Sequence, residues 1–257
     1  MISMNQITEE SLMSLFIRMY YNDIPLSTGT AFIVSSCIGP LLITNRHNVT
    51  GKNNEDNTLL SPETGAVPNR IEIYHNRINS IGSHIIKYEK LYLEDDFTPR
   101  WIEHPTYGHK VDFVALPLTE LSNVAVYPYS LEEGSNIKVG VTDSVSVVGF
   151  PFGIQVGSNA AVWATGTVAS EPQLNYKELP LFLIDCRSRQ GQSGSPVIAY
   201  RSSGDVNTTE GLDFYTEPVK KFIGIYSGRI NKESDLGLVW KASAIIELVN
   251  SIKKHIF

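Results

Sequence analysis

The chain has 257 residues, of which 42% are hydrophobic, and it carries a formal net charge of −6 with a pI near 5.5. This length is ample for one domain with a full hydrophobic core. The net negative charge is unlike the basic surface that nucleic-acid-binding proteins need, and no apolar run is long enough to cross a bilayer. We therefore expect neither nucleic acid nor membrane as a partner.

Short strand-like runs separated by turn residues fill the first half of the chain. Residues 16–21 and 28–34 flank Asn22-Asp23, a pattern typical of a β-hairpin. Further strands are predicted at 41–43, 71–74 and 85–93, with loops at 52–57 and 62–68. We assign a first β-unit to about residues 14–125, followed by a connection at 119–133.

The second half has the same pattern and ends differently. Strands are predicted at 145–149, 162–169, 181–185, 197–200, 221–226 and 236–240, with a polar hairpin tip at 201–209, in a second unit of about residues 135–241. Apolar residues then recur at helical spacing at Ala242, Ile245, Val249, Ile252 and Ile256. This spacing predicts a C-terminal helix over 242–257, which we expect to pack on the β-units rather than bind a partner. The whole chain, 1–257, is predicted to be one domain.

The segment Gly191-Gln192-Ser193-Gly194-Ser195 is the strongest chemical signal. Glycines on both sides of Ser193 allow a sharp turn and a close approach to a substrate carbonyl. Such a turn aims the N–H groups of Gly191 and Ser193 into one concavity, where they can stabilise an oxyanion. Taken alone, the segment is equally compatible with an ordinary glycine-rich turn.

Two upstream residues supply the partners that a nucleophilic serine needs. His47 follows the apolar run 41–43, and Asp112 lies in the apolar run 111–116, where an unpaired carboxylate would be costly to bury. An imidazole N–H is a suitable partner for such a carboxylate, and a histidine must take the proton of the serine hydroxyl. Asp95 and Asp96 are rival acids, but their polar neighbours indicate a solvated loop. The other five histidines have no comparable motif around them.

The order His47, Asp112, Ser193 resembles that of the chymotrypsin-like (trypsin-like) serine peptidases. The segments 29–34, 101–107, 148–153, 165–168 and 222–228 also resemble motifs of this family, and the closest similarity is to its bacterial trypsin-like and glutamyl endopeptidase branches. The resemblance implies an all-β fold of two packed six-stranded antiparallel Greek-key barrels with a C-terminal helix. It also implies a serine endopeptidase that works through an acyl-enzyme in the cleft between the barrels.

The nucleophile loop departs from the trypsin group at two positions. Gln192 stands where that group has an aspartate that pairs with a new N-terminus after cleavage, so activation by N-terminal cleavage is not expected. Ser195 replaces a family glycine, and the resulting loop is similar to that of the glutamyl endopeptidases.

Substrate preference is predicted only through the resemblance. Arg187 and Ser188 fall where the family lines its primary specificity pocket, together with Ser227, Gly228 and Gly237. Tyr226 replaces a histidine of the glutamyl endopeptidases, which argues against glutamyl preference. Arg187 at the pocket floor would favour an acidic side chain through a bidentate contact. Alternatively, Arg187 points outward and leaves a small apolar pocket near Gly228 and Gly237.

The cellular setting is also an expectation. The N-terminus lacks the basic start and apolar core of a signal peptide, and Cys37 and Cys186 do not suggest a disulfide, so we expect a cytoplasmic protein. No metal or organic cofactor is implied. The expected partner is a protein or peptide substrate, and a separate activating protein is possible. The alternative function is a catalytically silent or partner-activated effector module on the same fold.

Overall fold

The computed structural model describes residues 7–60, 62–63, 65–93, 98–131, 136–157, 159–231 and 233–252. A short helix α1, Glu10–Met13, precedes two β-units, and helix α3, Ala242–Ser251, follows them. None of the helices in these ranges is long and apolar enough to cross a membrane. Both thiols are free, with Cys37 exposed and Cys186 buried.

The first unit is an antiparallel sheet of seven strands. Its members are β1 Ser14–Tyr21, β2 Ile24–Ser36, β3 Gly39–Thr44, β4 Arg70–Arg77, β5 Ser80–Lys90, β6 Val114–Pro117 and β7 Val124–Ala125, and helix α2, Arg46–Thr50, follows β3. The strand order is β5-β4-β1-β2-β3-β6, with β7 paired to β4. Asn22 at the β1–β2 turn has a φ of 52°, a left-handed conformation that asparagine tolerates well.

The second unit is a closed barrel with the strand order β10-β15-β14-β11-β8-β9. Its members are β8 Ser144–Gly149, β9 Val162–Val168, β10 Leu181–Asp185, β11 Pro196–Arg201, β14 Val219–Arg229 and β15 Leu236–Lys241. A separate hairpin of β12, Gly204–Asn207, and β13, Leu212–Tyr215, is inserted between β11 and β14.

These elements confirm the predicted chymotrypsin-like, mostly β fold with a C-terminal helix, and they correct three details. The first unit is an open sheet within the described ranges, because the chain between β5 and β6 pairs only through isolated bridges such as Tyr92–Pro99 and Ile102–Ala115. The predicted tip at 201–209 is part of a longer two-stranded hairpin. Helix α3 ends at Ser251, and 253–257, including Ile256, lie outside the described residues.

One hydrophobic cluster joins the two units. It contains Phe16 and Phe32 from the sheet and Phe150 and Trp240 from the barrel side, and it also includes Ile245 of α3. The Phe16 and Phe150 rings meet edge to face with centroids 5.7 Å apart. Fully burying side chains of this size contributes about 1.5–3 kcal/mol each. The relative position of the units is therefore set by a packed core rather than by surface contacts.

We expect the buried His75 on β4 to make the fold sensitive to acid. Its side chain is 1% exposed, and neither ring nitrogen has a hydrogen-bond partner among the described residues. Burial, helped by the charge of Lys87, lowers the pKa of His75 from 6.5 to about 4. On acidification, His75 therefore takes up a proton in the unfolded chain at a higher pH than in the folded protein. The free energy of unfolding should fall between pH 6.5 and 4, by on the order of 3 kcal/mol.

The measurement is urea unfolding of the wild type and of His75→Leu at pH 7, 5 and 4. The variant should lose clearly less stability on acidification than the wild type does. The control is His109→Leu, since His109 is exposed. An identical loss in wild type and His75→Leu would contradict the prediction.

Candidate active site

The three predicted catalytic residues lie at the junction of the two units. His47 is on α2, directly after β3, and Asp112 lies two residues before β6 begins. Ser193 lies in the loop between β10 and β11 of the barrel. The Asn45 side-chain amide donates to the Asp112 carbonyl at 2.6 Å, which ties the start of α2 to the segment that carries the acid.

His47 and Asp112 are joined by two hydrogen bonds. The His47 Nδ1 and Asp112 Oδ2 atoms are 2.7 Å apart, and the His47 backbone N–H donates to Asp112 Oδ1 at 3.0 Å. Burial lowers the pKa of His47, but the charge and the hydrogen bond of Asp112 outweigh it and raise that pKa above 6.5. The pair therefore holds Nδ1 toward Asp112 and leaves Nε2 for other partners.

Ser227 contributes a third hydrogen bond to the same carboxylate. Its hydroxyl donates to Asp112 Oδ2 at 2.7 Å. Asp112 is only 4% exposed, and a buried carboxylate is stabilised when donors replace its lost hydration. Ser227, predicted as a residue of the substrate pocket, thus also belongs to the immediate surroundings of the acid.

The Ser193 hydroxyl points to the strand that carries Ser227. It donates to the Ser227 carbonyl oxygen at 3.2 Å. Among the described residues, no hydrogen bond joins Ser193 Oγ to His47. The structure thus brings the three residues to one place, with the serine–histidine contact unmade.

The loop around Ser193 presents two backbone donors. Gly191 has a φ of +93°, and a Cβ added there would lie 2.4 Å from the Phe150 carbonyl oxygen, so only glycine fits. The N–H groups of Gly194 and Ser195 are used, donating to the carbonyls of Tyr226 and Gln192. Within the described chain, the N–H groups of Gly191 and Ser193 donate to no protein group. They are available for a ligand oxygen.

Thr30 and Asn48 of the first unit hold this loop in place. The Thr30 N–H donates to the Ser193 carbonyl at 2.9 Å, and its hydroxyl donates to the Gly191 carbonyl at 2.9 Å. The Asn48 amide donates to the Ser193 carbonyl at 3.3 Å. Neither role was predictable from the sequence, because nothing in the local pattern of either residue indicates a contact more than 140 positions away.

Gln192 is fully buried beneath the loop. Its Oε1 accepts the Arg189 N–H at 2.7 Å. Its Nε2 has no hydrogen-bond partner among the described residues. That no new N-terminus pairs at this position stays a prediction.

The predicted specificity residues divide into two groups. Ser188 and Tyr226 are buried with their hydroxyls in hydrogen-bond contact, and burial raises the pKa of Tyr226 to about 12. A Cβ at Gly237 would lie 2.6 Å from the Tyr226 ring, so these three residues form one packed group. Arg187 is exposed and has no hydrogen-bond or ion-pair partner among the described residues. Gly228 lies in the cleft described next.

A cleft of about 1110 Å³ opens beside His47 and Asp112. Its lining includes Ser227–Asn231 at the end of β14, the 53–55 loop of the first unit and the 176–179 turn of the barrel. Lys177 and Glu55 form an ion pair across it, with Nζ and Oε1 3.3 Å apart. No group of three or more His, Cys, Asp or Glu side chains in the described ranges is placed to hold a metal ion. Asp95 and Asp96, the rival acids, lie outside these ranges.

Three solved structures have a similar fold. A serine endoprotease from Yersinia pestis matches 97% of this chain with a TM-score of 0.52 and 15% identity, and this chain spans 66% of its length. The match to the active form of a protease from M. tuberculosis covers 95% of this chain and 82% of that protease, with a TM-score of 0.50 and 15% identity. The match to the thermostable serine protease AL20 from an extremophilic microorganism covers 95% of this chain and 98% of that protease, with a TM-score of 0.54 and 14% identity. These likenesses support the fold alone.

The family follows from the sequence comparison. A comparison with curated proteins found no match. The family model described as the trypsin-like peptidase domain matches residues 29–206, which is more than half of the chain. The fold and site thus define a protein of the chymotrypsin-like class, and the chain belongs to the trypsin-like peptidase family.

We expect Asp112→Asn to lower the pKa of His47. The substitution removes the negative charge that raises this pKa and leaves the burial that lowers it. An NMR titration of the imidazole should therefore give a midpoint below that of the wild type. Glu247→Gln, which removes a carboxylate beside His104, is the control and should leave the His47 titration unchanged. An unchanged or higher midpoint in Asp112→Asn would refute the proposed electrostatic coupling.

Proposed function

We propose that this protein is a serine endopeptidase that uses His47, Asp112 and Ser193. The observation that carries the proposal is the hydrogen-bonded His47–Asp112 pair beside a serine loop whose Gly191 and Ser193 N–H groups are unused. Family membership supports a protein or peptide as substrate. The endopeptidase activity and the cytoplasmic location expected from the sequence both stay predictions.

In the proposed mechanism, Ser193 Oγ attacks the scissile carbonyl carbon while its proton passes to His47 Nε2. The carbonyl oxygen becomes an oxyanion held by the Gly191 and Ser193 N–H groups, each of which is worth about 2.7–4 kcal/mol in such sites. His47 then gives the proton to the departing amine, which leaves an acyl-Ser193 ester. Water attacks this ester, His47 takes the proton of the water and returns it to Ser193, and the acid product departs.

Asp112 has two tasks in this sequence and does not itself take up a proton. It holds Nδ1 so that Nε2 faces the nucleophile, and its charge stabilises the imidazolium that forms twice in each cycle. The raised pKa of His47 agrees with this role, because a higher pKa means that the surroundings favour the charged ring.

One observation favours the alternative of a silent or partner-activated module. The Ser193 hydroxyl donates a hydrogen bond to the Ser227 carbonyl, so it must rotate toward His47 before it can serve as the nucleophile. A separate protein that induces this rotation would be the activator, and a site unable to make the contact would be a binding module. Labelling of Ser193 distinguishes these cases.

A fluorophosphonate probe should label the wild type and fail to label Ser193→Ala or His47→Ala. The probe needs an activated serine, so both the nucleophile and its base are required. The control is Ser195→Ala, because Ser195 is fully buried, its hydroxyl has no partner among the described atoms, and the change leaves Ser193 intact. Intact-mass spectrometry quantifies the adduct. Equal labelling of all four proteins would contradict the assignment of Ser193 as nucleophile and His47 as base. Labelling that requires an added partner protein would favour the partner-activated module.

The exposed position of Arg187 generates a prediction about cleavage preference. A guanidinium in solvent cannot form the floor of a buried pocket, so we propose that Arg187 does not select the residue before the scissile bond, and that this residue lies in the cleft beside Ser227 and Gly228. In a peptide-library digest, Arg187→Ala should therefore leave the cleavage preference unchanged. Cleavage after Asp or Glu that disappears in Arg187→Ala would contradict this prediction and support a pocket in which Arg187 binds an acidic side chain.

A further inference from the structure

A second cavity, of about 300 Å³, lies in the barrel unit and is separate from the proposed active site. It is bordered by the start of α3, the first half of β14 and the chain segments before β8 and β10. It shares no lining residue with the cleft beside His47. A volume of 300 Å³ is at the lower end of the range that small-molecule ligands occupy. The cavity is therefore of a size for one small ligand.

The cavity is lined by three lysines and by no aspartate or glutamate. The lysines are Lys138, Lys221 and Lys241. Within the described ranges, the lysines that form ion pairs are Lys87, Lys177 and Lys220, all outside the cavity. Glu210, which is adjacent in sequence to a lining residue, accepts a hydrogen bond from the Asn136 side chain at 3.4 Å instead of pairing with a lysine. In a chain with a net charge of −6, the cavity is thus a site of uncompensated positive charge.

Lys241 shows that this charge is held at a cost. Its Nζ donates to the carbonyls of Gln173 and Leu174 at 3.4 and 2.9 Å and to Asn175 Oδ1 at 2.7 Å. All three acceptors are neutral, so they satisfy the N–H groups without balancing the charge. Burial accordingly lowers the pKa of Lys241. An anion in the cavity would supply the missing negative charge.

The other two lysines have donors available for a ligand. An ammonium group has three N–H donors. Lys221 Nζ uses one of them, on the Ile137 carbonyl at 2.9 Å. Lys138 is exposed and makes no side-chain hydrogen bond to another part of the described chain. Several N–H groups on two sides of the cavity can therefore bind the oxygens of one anion.

The start of α3 adds to the positive potential of the lysines. Ala242 and Ser243 form the beginning of this ten-residue helix and line the cavity. No side chain caps the helix, and its first turn contains no acidic residue. A helix N-terminus carries a partial positive charge that an acid or an anion stabilises. The lysines and the helix end therefore repel each other, and conflicts of this kind are retained in proteins chiefly at functional sites.

The rest of the cavity wall is apolar. Phe182 is 2% exposed, and Phe222 and Ile223 are half-buried. Lysine binds phosphate as a point charge, without the planar geometry of a carboxylate–arginine pair. A phosphate monoester carries a charge of about −1.5 to −2 at pH 7, so it balances several cations better than a single carboxylate does. The cavity thus combines a phosphate-binding side with an apolar side.

We propose that this cavity binds a small phosphorylated compound. Its phosphate group contacts Lys138, Lys221 and the start of α3, and its apolar part packs against Phe182 and Phe222. A small compound is favoured over a macromolecule because the lysines face a confined cavity rather than an extended basic surface. This inference is independent of the proposed peptidase function.

The test is isothermal titration of phenyl phosphate and of inorganic phosphate into the wild type, Lys221→Gln and Lys138→Gln, with sodium chloride holding the ionic strength constant. Phenyl phosphate joins a phosphate group to one apolar ring. The control is Lys52→Gln, which removes the same charge from a half-buried lysine of the first unit that does not line the cavity. Amide NMR spectra of the wild type locate the site through the resonances of Ala242 and Ser243.

The wild type should bind phenyl phosphate saturably and more tightly than inorganic phosphate, with shifts at both amides. Each cavity variant should bind about tenfold more weakly, the effect expected for loss of one charge-assisted hydrogen bond, and Lys52→Gln should bind as the wild type does. Absence of saturable binding, an equal loss in Lys52→Gln, or binding that survives in both cavity variants would overturn the site. Binding of phenyl phosphate no tighter than that of inorganic phosphate would overturn the proposed ligand class. If thermal unfolding shows that Lys221→Gln does not fold, the exposed Lys138→Gln decides alone.

Discussion

The buried carboxylate of Asp112 is the constraint on which the rest of the site depends. An ionised carboxylate at 4% exposure is tolerated only if donors replace its water, and removing such donors from a buried charge is strongly destabilising. Here the donors are the backbone N–H and ring of His47 and the hydroxyl of Ser227. The same bonds that satisfy the charge fix the ring orientation of His47 and the place of Ser227. The hydrogen bonds that stabilise the buried carboxylate are therefore the same ones that set the geometry of the proposed triad.

The site belongs to neither unit alone. His47 and Asp112 come from the sheet, Ser193 and Ser227 from the barrel, and Thr30 of the sheet binds the carbonyls of both Gly191 and Ser193. Further bonds cross the junction, such as the Ser14 hydroxyl to the Val148 carbonyl at 2.7 Å. Near α1, Lys220 of β14 pairs with both Glu9 and Glu10. A shift of one unit against the other would therefore misplace the histidine relative to the serine.

The sequence was sufficient for features that depend on local patterning. The hairpin around Asn22-Asp23 and the strand at 181–185 follow from alternation and turn residues, and the structure has both. The open edge of the first sheet was not predictable, since closure depends on pairing between segments far apart in the chain. The roles of Thr30 and Asn48 were missed for the same reason. The direction of Arg187 was left open because one position in a loop does not determine where its side chain points.

Ser227 connects the acid and the nucleophile of the proposed triad. Its hydroxyl binds Asp112 while its carbonyl accepts the Ser193 hydroxyl, so one residue is bonded to two members of the proposed triad. A peptide extended along the end of β14 presents backbone N–H groups to that edge, and one that bonds to the Ser227 carbonyl competes with the Ser193 hydroxyl for the same oxygen. In the proposed mechanism, the displaced hydroxyl then turns toward His47. Under the proposed function, substrate binding and activation of the nucleophile are therefore linked through a single carbonyl oxygen, which would keep Ser193 unactivated until the cleft is filled.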